Sequence, residues 1–317
     1  MKKYLLLLTL IVLLCSASGC QKQSEAPIQM EGAKEATTGT IDVDGFELSY
    51  IIEGSGIPCV IVEEGLAMKR ALSQNLKQRF KFICLNGRHT APYDRSYDIR
   101  SLTLEDFVDD VERVRRSLGI EKICVFGQSI WGLVALEYGR KYPEHTTHVI
   151  MNGTPPYLGE MAEFQNMISA HFESHATDER KAIHRENSEK GGPKIADASP
   201  GRSGIEAYIA NAALYWHDPK YDCSWIFEGV TWNNDIDNFL FHSIMPGYEI
   251  TNGKELTTPI FVSVGMYDFV VPYDLWDEYK DKLSNLSFNL FEKSGHWAFL
   301  EENELFDKKL IDWIESH

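Results

Sequence analysis

The chain has 317 residues with 31 Lys or Arg against 47 Asp or Glu, a formal charge of −16, and 44% hydrophobic and 12% aromatic residues. That length and apolar content suit one large packed domain, or one domain carrying an insertion. The acidic balance argues against a nucleic-acid partner, whose binding rests on basic patches, and against electrostatic docking on anionic lipid.

The first residues differ from the rest. Lys2 and Lys3 precede an apolar run from Leu5 to Leu14, followed by Ser16-Ala17-Ser18-Gly19-Cys20. A basic start, a short apolar core and small residues make a secretory signal over residues 1–19, too short to span a bilayer permanently. Small residues before a cysteine resemble the lipobox of bacterial lipoproteins, with Ala17 where Leu is usual. The resemblance implies a diacylated Cys20 as mature N-terminus and a place on a membrane of the bacterial cell envelope. Two acyl chains hold a protein stably where one does not. An ordinary signal peptide cut near Gly19 is the alternative. Loss of Lys2 and Lys3 takes the charge from −16 to −18. Residues 20–39 are polar, without apolar period, and are expected to form a flexible tether.

From Thr40 the chain reads as a folded body. Thr40–Val43 and Phe46–Glu53 are predicted strands joined by Asp44-Gly45, a strong hairpin signal. Pro58–Glu63 is a continuous apolar strand, Lys69–Arg79 a helix, and Phe80–Leu85 a buried strand before a loop over 86–100. Thr103 opens an amphipathic helix, with Leu104, Phe107, Val108, Val111, Val114 and Leu118 on one face, Asp106 in a capping-box position and Gly119 as the stop. Lys122–Phe126 is a strand, Leu133–Tyr142 a helix and His148–Met151 a strand, broken by Asn152 to Pro156. Residues 157–257 are helical in character, with a loop from Gly191 to Gly204. The β/α alternation resumes with a strand at Pro259–Gly265, a helix at Tyr273–Leu283, a strand at Ser287–Phe291 and a helix at Glu304–Ile314. Apolar strands alternating with helices mean a mostly parallel sheet covered on both faces. The core is expected over 40–156 and 258–317. The 157–257 insertion is expected as a helical cap over the C-terminal sheet edge, where open α/β sheets bind ligands.

Of the six cysteines, Cys15 lies in the signal and Cys20 is the lipidation candidate. Cys59, Cys84 and Cys124 fall in apolar strands, and with Cys223 they are expected as free buried thiols. No C-x-x-C or histidine cluster suggests a metal, and no cofactor motif is present.

The chemistry centres on Val125-Phe126-Gly127-Gln128-Ser129-Ile130-Trp131-Gly132. A strand that stops on a sharp turn, with a serine at its tip and a helix after it, is how a nucleophile elbow is built. Asp268 and His296 follow in triad order. The chain thus resembles an α/β-hydrolase from Thr40 to His317. It is most similar to the proline iminopeptidase-like subgroup through Ser294-Gly295-His296-Trp297-Ala298-Phe299-Leu300-Glu301. The resemblance implies Ser129 as nucleophile, His296 as general base and Asp268 as the acid that fixes its tautomer. The oxyanion hole would take Ile130 N–H and, after Gly65, Leu66 N–H.

Three departures stand out. Glu64 occupies the histidine's place in the family's His-Gly, so H-G-G-P-G is absent. Asn86-Gly87-Arg88-His89 replaces Asp-x-Arg-Gly, leaving Arg88 as a structural hydrogen-bond donor and His89 as substrate-facing or structural. Trp131 takes a small-residue place, so it must point into the pocket or sideways, with Gly132 supplying the close approach. Trp131 and Glu64 are therefore the candidate substrate-binding residues.

The expected activity is hydrolysis of an ester or amide in a small molecule or short peptide through an acyl-enzyme. An aminopeptidase would need carboxylates for the substrate ammonium, and Glu63, Glu64, Glu160 and Glu163 are available. A carboxylesterase of small esters is the alternative. So is a non-catalytic binding module on the same fold.

Overall fold

In chain order the sheet forms where the apolar runs lie. β1 (Thr37–Val43) and β2 (Phe46–Gly54) pair antiparallel through a two-residue turn, Asp44 at φ 54° and Gly45 at φ 83°. Positive φ at both central residues gives the turn whose twist matches a hairpin. β2 then pairs antiparallel with β4 (Phe80–Asn86). The other strands are parallel: β3 (Ile57–Glu63), β5 (Ile123–Gln128), β6 (Thr146–Asn152), β9 (Ile260–Gly265) and β10 (Leu286–Phe291). The eight-stranded order is β1-β2-β4-β3-β5-β6-β9-β10. The computed structural model describes residues 37–189 and 203–317. The predicted signal peptide, Cys20 and most of the tether lie outside the described residues, as do positions 191–202 of the predicted Gly191–Gly204 loop. Thr37–Gly39, expected in the tether, already pair with β2.

Alternate residues of each strand face opposite sides, which builds two cores. Val60, Val62, Ile83 and Val125 pack with α3 (Leu104–Ser117) and α4 (Trp131–Lys141). Cys59, Ile61, Cys84, Cys124 and Phe126 pack with α1 (Gly65–Ala71), α2 (Gln74–Arg79) and α11 (Asn303–Ser316). All four described cysteines are free and buried, as their apolar surroundings imply. α3 begins as predicted: Asp106 Oδ2 accepts from the Thr103 N–H and from its hydroxyl, both at 2.8 Å. The single helix expected over Lys69–Arg79 is instead two. Leu72 turns extended at ψ 136°, and Ser73 caps α2 by accepting Leu76 N–H at 3.0 Å. The helix expected over Tyr273–Leu283 shrinks to a 3-10 stretch, Tyr273–Glu278.

Between β6 and β9 the chain leaves the sheet. This insertion holds α5 (Met161–His175), α6 (Asp178–Glu189), α7 (Ser203–Ala210), α8 (Ala212–Tyr215) and α9 (Asn234–Phe239), then a π-helical turn at Leu240–Ile244. Its two ends are joined by a small antiparallel pair, β7 (Tyr157–Leu158) with β8 (Tyr248–Glu249). Inside it the buried Arg180 donates to Ala213 O at 2.7 Å and Trp216 O at 2.8 Å. These satisfy carbonyls left open where α8 ends. α10 (Ala298–Glu301) precedes α11. Among the described residues no helix is long and apolar enough to cross a membrane.

Candidate active site

Ser129 is held at the end of β5 with φ 55°; among the described non-glycine residues only Asp44 shares a positive φ. An L-residue there costs roughly 1–2 kcal/mol and persists only where its surroundings fix it. Here Ser129 N–H donates to Asn152 O at 2.8 Å, and Gly132 N–H donates to Ser129 O at 3.0 Å. Two glycines make the turn sterically feasible. A Cβ on Gly127 would lie 2.1 Å from Trp131 O, and one on Gly132 would lie 1.9 Å from Thr154 Oγ1. The small residues this elbow needs are therefore 127 and 132, which leaves position 131 free for a large ring.

His296 comes from the loop after β10. Its Nδ1 donates to Asp268 Oδ2 at 2.6 Å, while Asp268 Oδ1 accepts Val270 N–H at 3.0 Å and Val271 N–H at 2.8 Å. Asp268 is fully buried and His296 is 2% exposed. The His296 backbone is fixed from three directions. Its N–H donates to Tyr215 O at 2.6 Å, and its carbonyl accepts from Gln128 Nε2 at 2.7 Å and Asn152 Nδ2 at 2.9 Å. The loop is braced from behind by Glu301, which accepts Gly295 N–H and His217 N–H, both at 2.7 Å. Burial pushes the Glu301 carboxyl up to about 7 against those two hydrogen bonds.

Ser129 and His296 line one cavity of about 280 Å³ between the sheet edge and the insertion. Ile130 lines it too, at the start of α4. Most of its wall is aromatic or aliphatic, including Phe164, Tyr208, Tyr215, Phe227, Trp232 and Trp297. One end is acidic: Glu63, Glu64 and Asp237 all face it. Burial pushes Glu63 well above the usual carboxylate range, and the charge of the neighbouring Glu64 adds to the shift. Asp237 is raised to about 6, mainly by burial, with His89 opposing and Glu64 reinforcing. His89 Nε2 lies 3.4 Å from Glu64 Oε1. Buried Glu63 Oε2 and Glu64 Oε2 have no hydrogen-bond partner, a costly state for a carboxyl oxygen.

Trp131 both packs and lines the cavity. Its ring stacks on His89 at 3.9 Å and 29°, and meets Phe107 at 5.8 Å. Arg88 is structural, as expected: it grips Asp110 through Nε at 2.7 Å and Nη2 at 2.9 Å, and its guanidinium lies over Phe46. Leu66, the expected second oxyanion donor, is the second residue of α1, and it is not among the residues lining the cavity. Gly65 N–H is taken by Asn86 Oδ1 at 2.9 Å. Glu160 and Glu163 are exposed at the start of α5, as solvated surface acids would be, and do not line the cavity. The insertion's acid in the cavity is Asp237, which lies on a short helix with no sequence signal to single it out.

The sequence profile of the family described as alpha/beta hydrolase fold matches residues 60–303. AB hydrolase superfamily protein YclE of Bacillus subtilis is 28% identical over 280 residues, covering 88% of this chain and 99% of that protein. A proline iminopeptidase of Clostridioides difficile is 23% identical over 316 residues, covering 89% of this chain and 99% of its own. Among solved structures, proline iminopeptidase from Mycobacterium smegmatis superposes with a TM-score of 0.64 at 16% identity, over 89% of this chain and 98% of that one.

Proposed function

The chain belongs to the alpha/beta hydrolase fold family, and from that premise we propose that it is a serine hydrolase working through an acyl-enzyme. The observation that carries the reading is the strained Ser129 opening on the same cavity as a histidine whose Nδ1 is held by a buried aspartate. Ser129 Oγ attacks the substrate carbonyl while His296 Nε2 takes its proton. Asp268 holds the tautomer with Nδ1 protonated and stabilises the imidazolium that forms. Ile130 N–H, at the start of α4, donates to the developing oxyanion. His296 then passes its proton to the leaving group, and water repeats the sequence to free the acid.

The substrate class follows from the acidic end of the cavity. A carboxyl pair at Glu63 and Glu64 with Asp237 opposite suits a primary or secondary ammonium, and the surrounding rings suit a small apolar acyl group. This supports an aminopeptidase of the proline iminopeptidase type, the activity named for several of the relatives. A cavity of about 280 Å³ takes a single residue's acyl part and little more. One observation favours a small-ester carboxylesterase instead: burial disfavours the charged form of Glu63, which weakens the acid group's hold on an ammonium. A panel of L-prolyl and L-alanyl anilides, their N-acetylated forms and acetyl to hexanoyl esters separates the two. The aminopeptidase reading predicts turnover of free-amine substrates, at least tenfold loss on N-acetylation, and loss of all turnover in Ser129→Ala. Turnover of the esters alone would move the assignment to the esterase.

We also propose that Cys20 is diacylated and tethers the enzyme to a membrane of the cell envelope, on the strength of residues 1–20. Metabolic labelling with an alkynyl fatty acid should tag the wild type and not Cys20→Ala; equal labelling would end the idea.

A further inference from the structure

The sequence offers no metal motif, yet the fold gathers one set of ligands far along the chain from the serine. His171 and His175 stand one turn apart on α5, and Asp274 lies in the 3-10 stretch that follows the Asp268 loop. One ligand atom from each lies within 4.8 Å of the others. His171 Nδ1 is 3.2 Å from Asp274 Oδ2, and the two imidazoles stack at 4.1 Å and 18°. Positions i and i+4 of a helix share a face, so both rings can turn to one point.

Two details favour a metal over an ordinary histidine–aspartate contact. His175 Nδ1 faces its own helix, 3.1 Å from His171 O. Ser174 Oγ is also 2.9 Å from Nδ1, but its one hydrogen goes to Ala170 O at 2.8 Å; with Nδ1 donating to the His171 carbonyl, the Nε2 lone pair is left for a ligand. This is the orientation that backbone carbonyls impose on metal-bound histidines. His171 is buried and its ring is wedged by Phe269 at 5.9 Å and Tyr273 at 6.2 Å, so its direction is fixed. A shallow hollow lined by Met167, Ala170, Ser174 and Leu275 opens onto the three side chains and leaves room for a water.

We propose that His171, His175 and Asp274 bind a late first-row divalent cation of the zinc class, with water completing a four-coordinate shell. Two neutral imidazoles and one carboxylate suit zinc, and are too few oxygens for calcium or magnesium. The ion would fasten α5, part of the insertion over the cavity, to the loop that carries Asp268. His171 already touches Phe269, the residue after that aspartate. The site stands apart from Ser129 and holds whether or not the hydrolase reading does.

The test titrates the tag-free full chain with Zn²⁺ against a chromophoric chelator, and repeats it with Co²⁺ for its visible absorption. Expected are one equivalent bound, a four-coordinate Co²⁺ spectrum, and affinity lower by on the order of a hundredfold in His175→Ala and in Asp274→Asn, since even an outer-shell change costs up to that much. His175 and Asp274 are exposed, so neither variant threatens the fold. His145→Ala, a histidine beside Glu144 elsewhere on the surface, should bind like the wild type. Hydrogen exchange in 161–175 and 268–275 should slow with Zn²⁺ in the wild type and not in His175→Ala. Absence of saturable binding in the micromolar range, or binding equal in wild type and His175→Ala, overturns the proposal.

Discussion

Gly153→Ala is the sharpest structural test of how the histidine is held. Gly153 has φ +54°, and a Cβ there would lie 2.9 Å from both Nδ1 and O of His296 and 3.0 Å from its Cε1. Two costs follow. The backbone conformation alone charges an alanine roughly 1–2 kcal/mol. The contact with His296 demands a further shift of several tenths of an ångström in a ring held at 2.6 Å from Asp268. Misplacement by about 1 Å costs on the order of a hundredfold in rate, or about 2.7 kcal/mol of barrier, which is the upper bound for this shift. Gly119→Ala separates the two costs, because Gly119 has φ +64° with nothing within 4 Å of a Cβ. Both variants should lose stability by urea denaturation. Only Gly153→Ala should lose kcat, by about tenfold to a hundredfold, with KM changed far less, and react slowly with a fluorophosphonate. If Gly153→Ala keeps kcat within threefold of Gly119→Ala, the contact does not position His296 and the reasoning fails.

Other consequences can be measured together. Glu63→Gln should flatten the pH dependence of stability. The folded-state pKa is raised above the ordinary 4.5, so the folded protein holds a proton the unfolded chain releases, and stability falls as pH rises from about 4.5. Urea midpoints at pH 5 and pH 8 should differ less in the variant than in the wild type; an unchanged difference would contradict it. Arg88→Met leaves the buried Asp110 only the partly exposed Arg113, 3.6 Å away, and should cost about 3 kcal/mol, read from the denaturant midpoint. A loss under about 1 kcal/mol would mean that Arg113 takes over the pairing and that the Arg88 contact is not what holds Asp110. Trp131→Ala empties space beside His89 and should widen the cavity, so the preference among acyl esters shifts to longer chains while stability falls by roughly 3–5 kcal/mol. An unchanged chain-length profile would place the ring outside the acyl site.

What the sequence made legible was whatever depends on local pattern. The apolar runs of β3, β5 and β9, the capping box at Thr103 and the hairpin at Asp44-Gly45 each carry their own signal, and each formed where expected. Ser129, Asp268 and His296 could be picked as candidates because each follows a strand in a fixed order, and the structure brings Asp268 onto His296 and His296 into the cavity with Ser129. What escaped depends on packing across the chain. Leu72 breaks the expected helix because Ser73 caps a second one and is itself fixed by Asp307 at 2.6 Å, 234 residues away. Leu66 was placed by analogy with a His-Gly this chain lacks, and nothing local announced that α1 would start at Gly65. Asp237 and the pairing of α5 with Asp274 join segments far apart, and no local motif announces either.

The central claim is that Ser129 is activated by His296. A fluorophosphonate probe with intact-mass detection tests it most directly, since no knowledge of the substrate is needed. The account predicts one adduct per wild-type chain, mapped to Ser129, none in Ser129→Ala, and labelling slowed by orders of magnitude in His296→Gln. An unlabelled wild type, or equal labelling of Ser129→Ala, would contradict it.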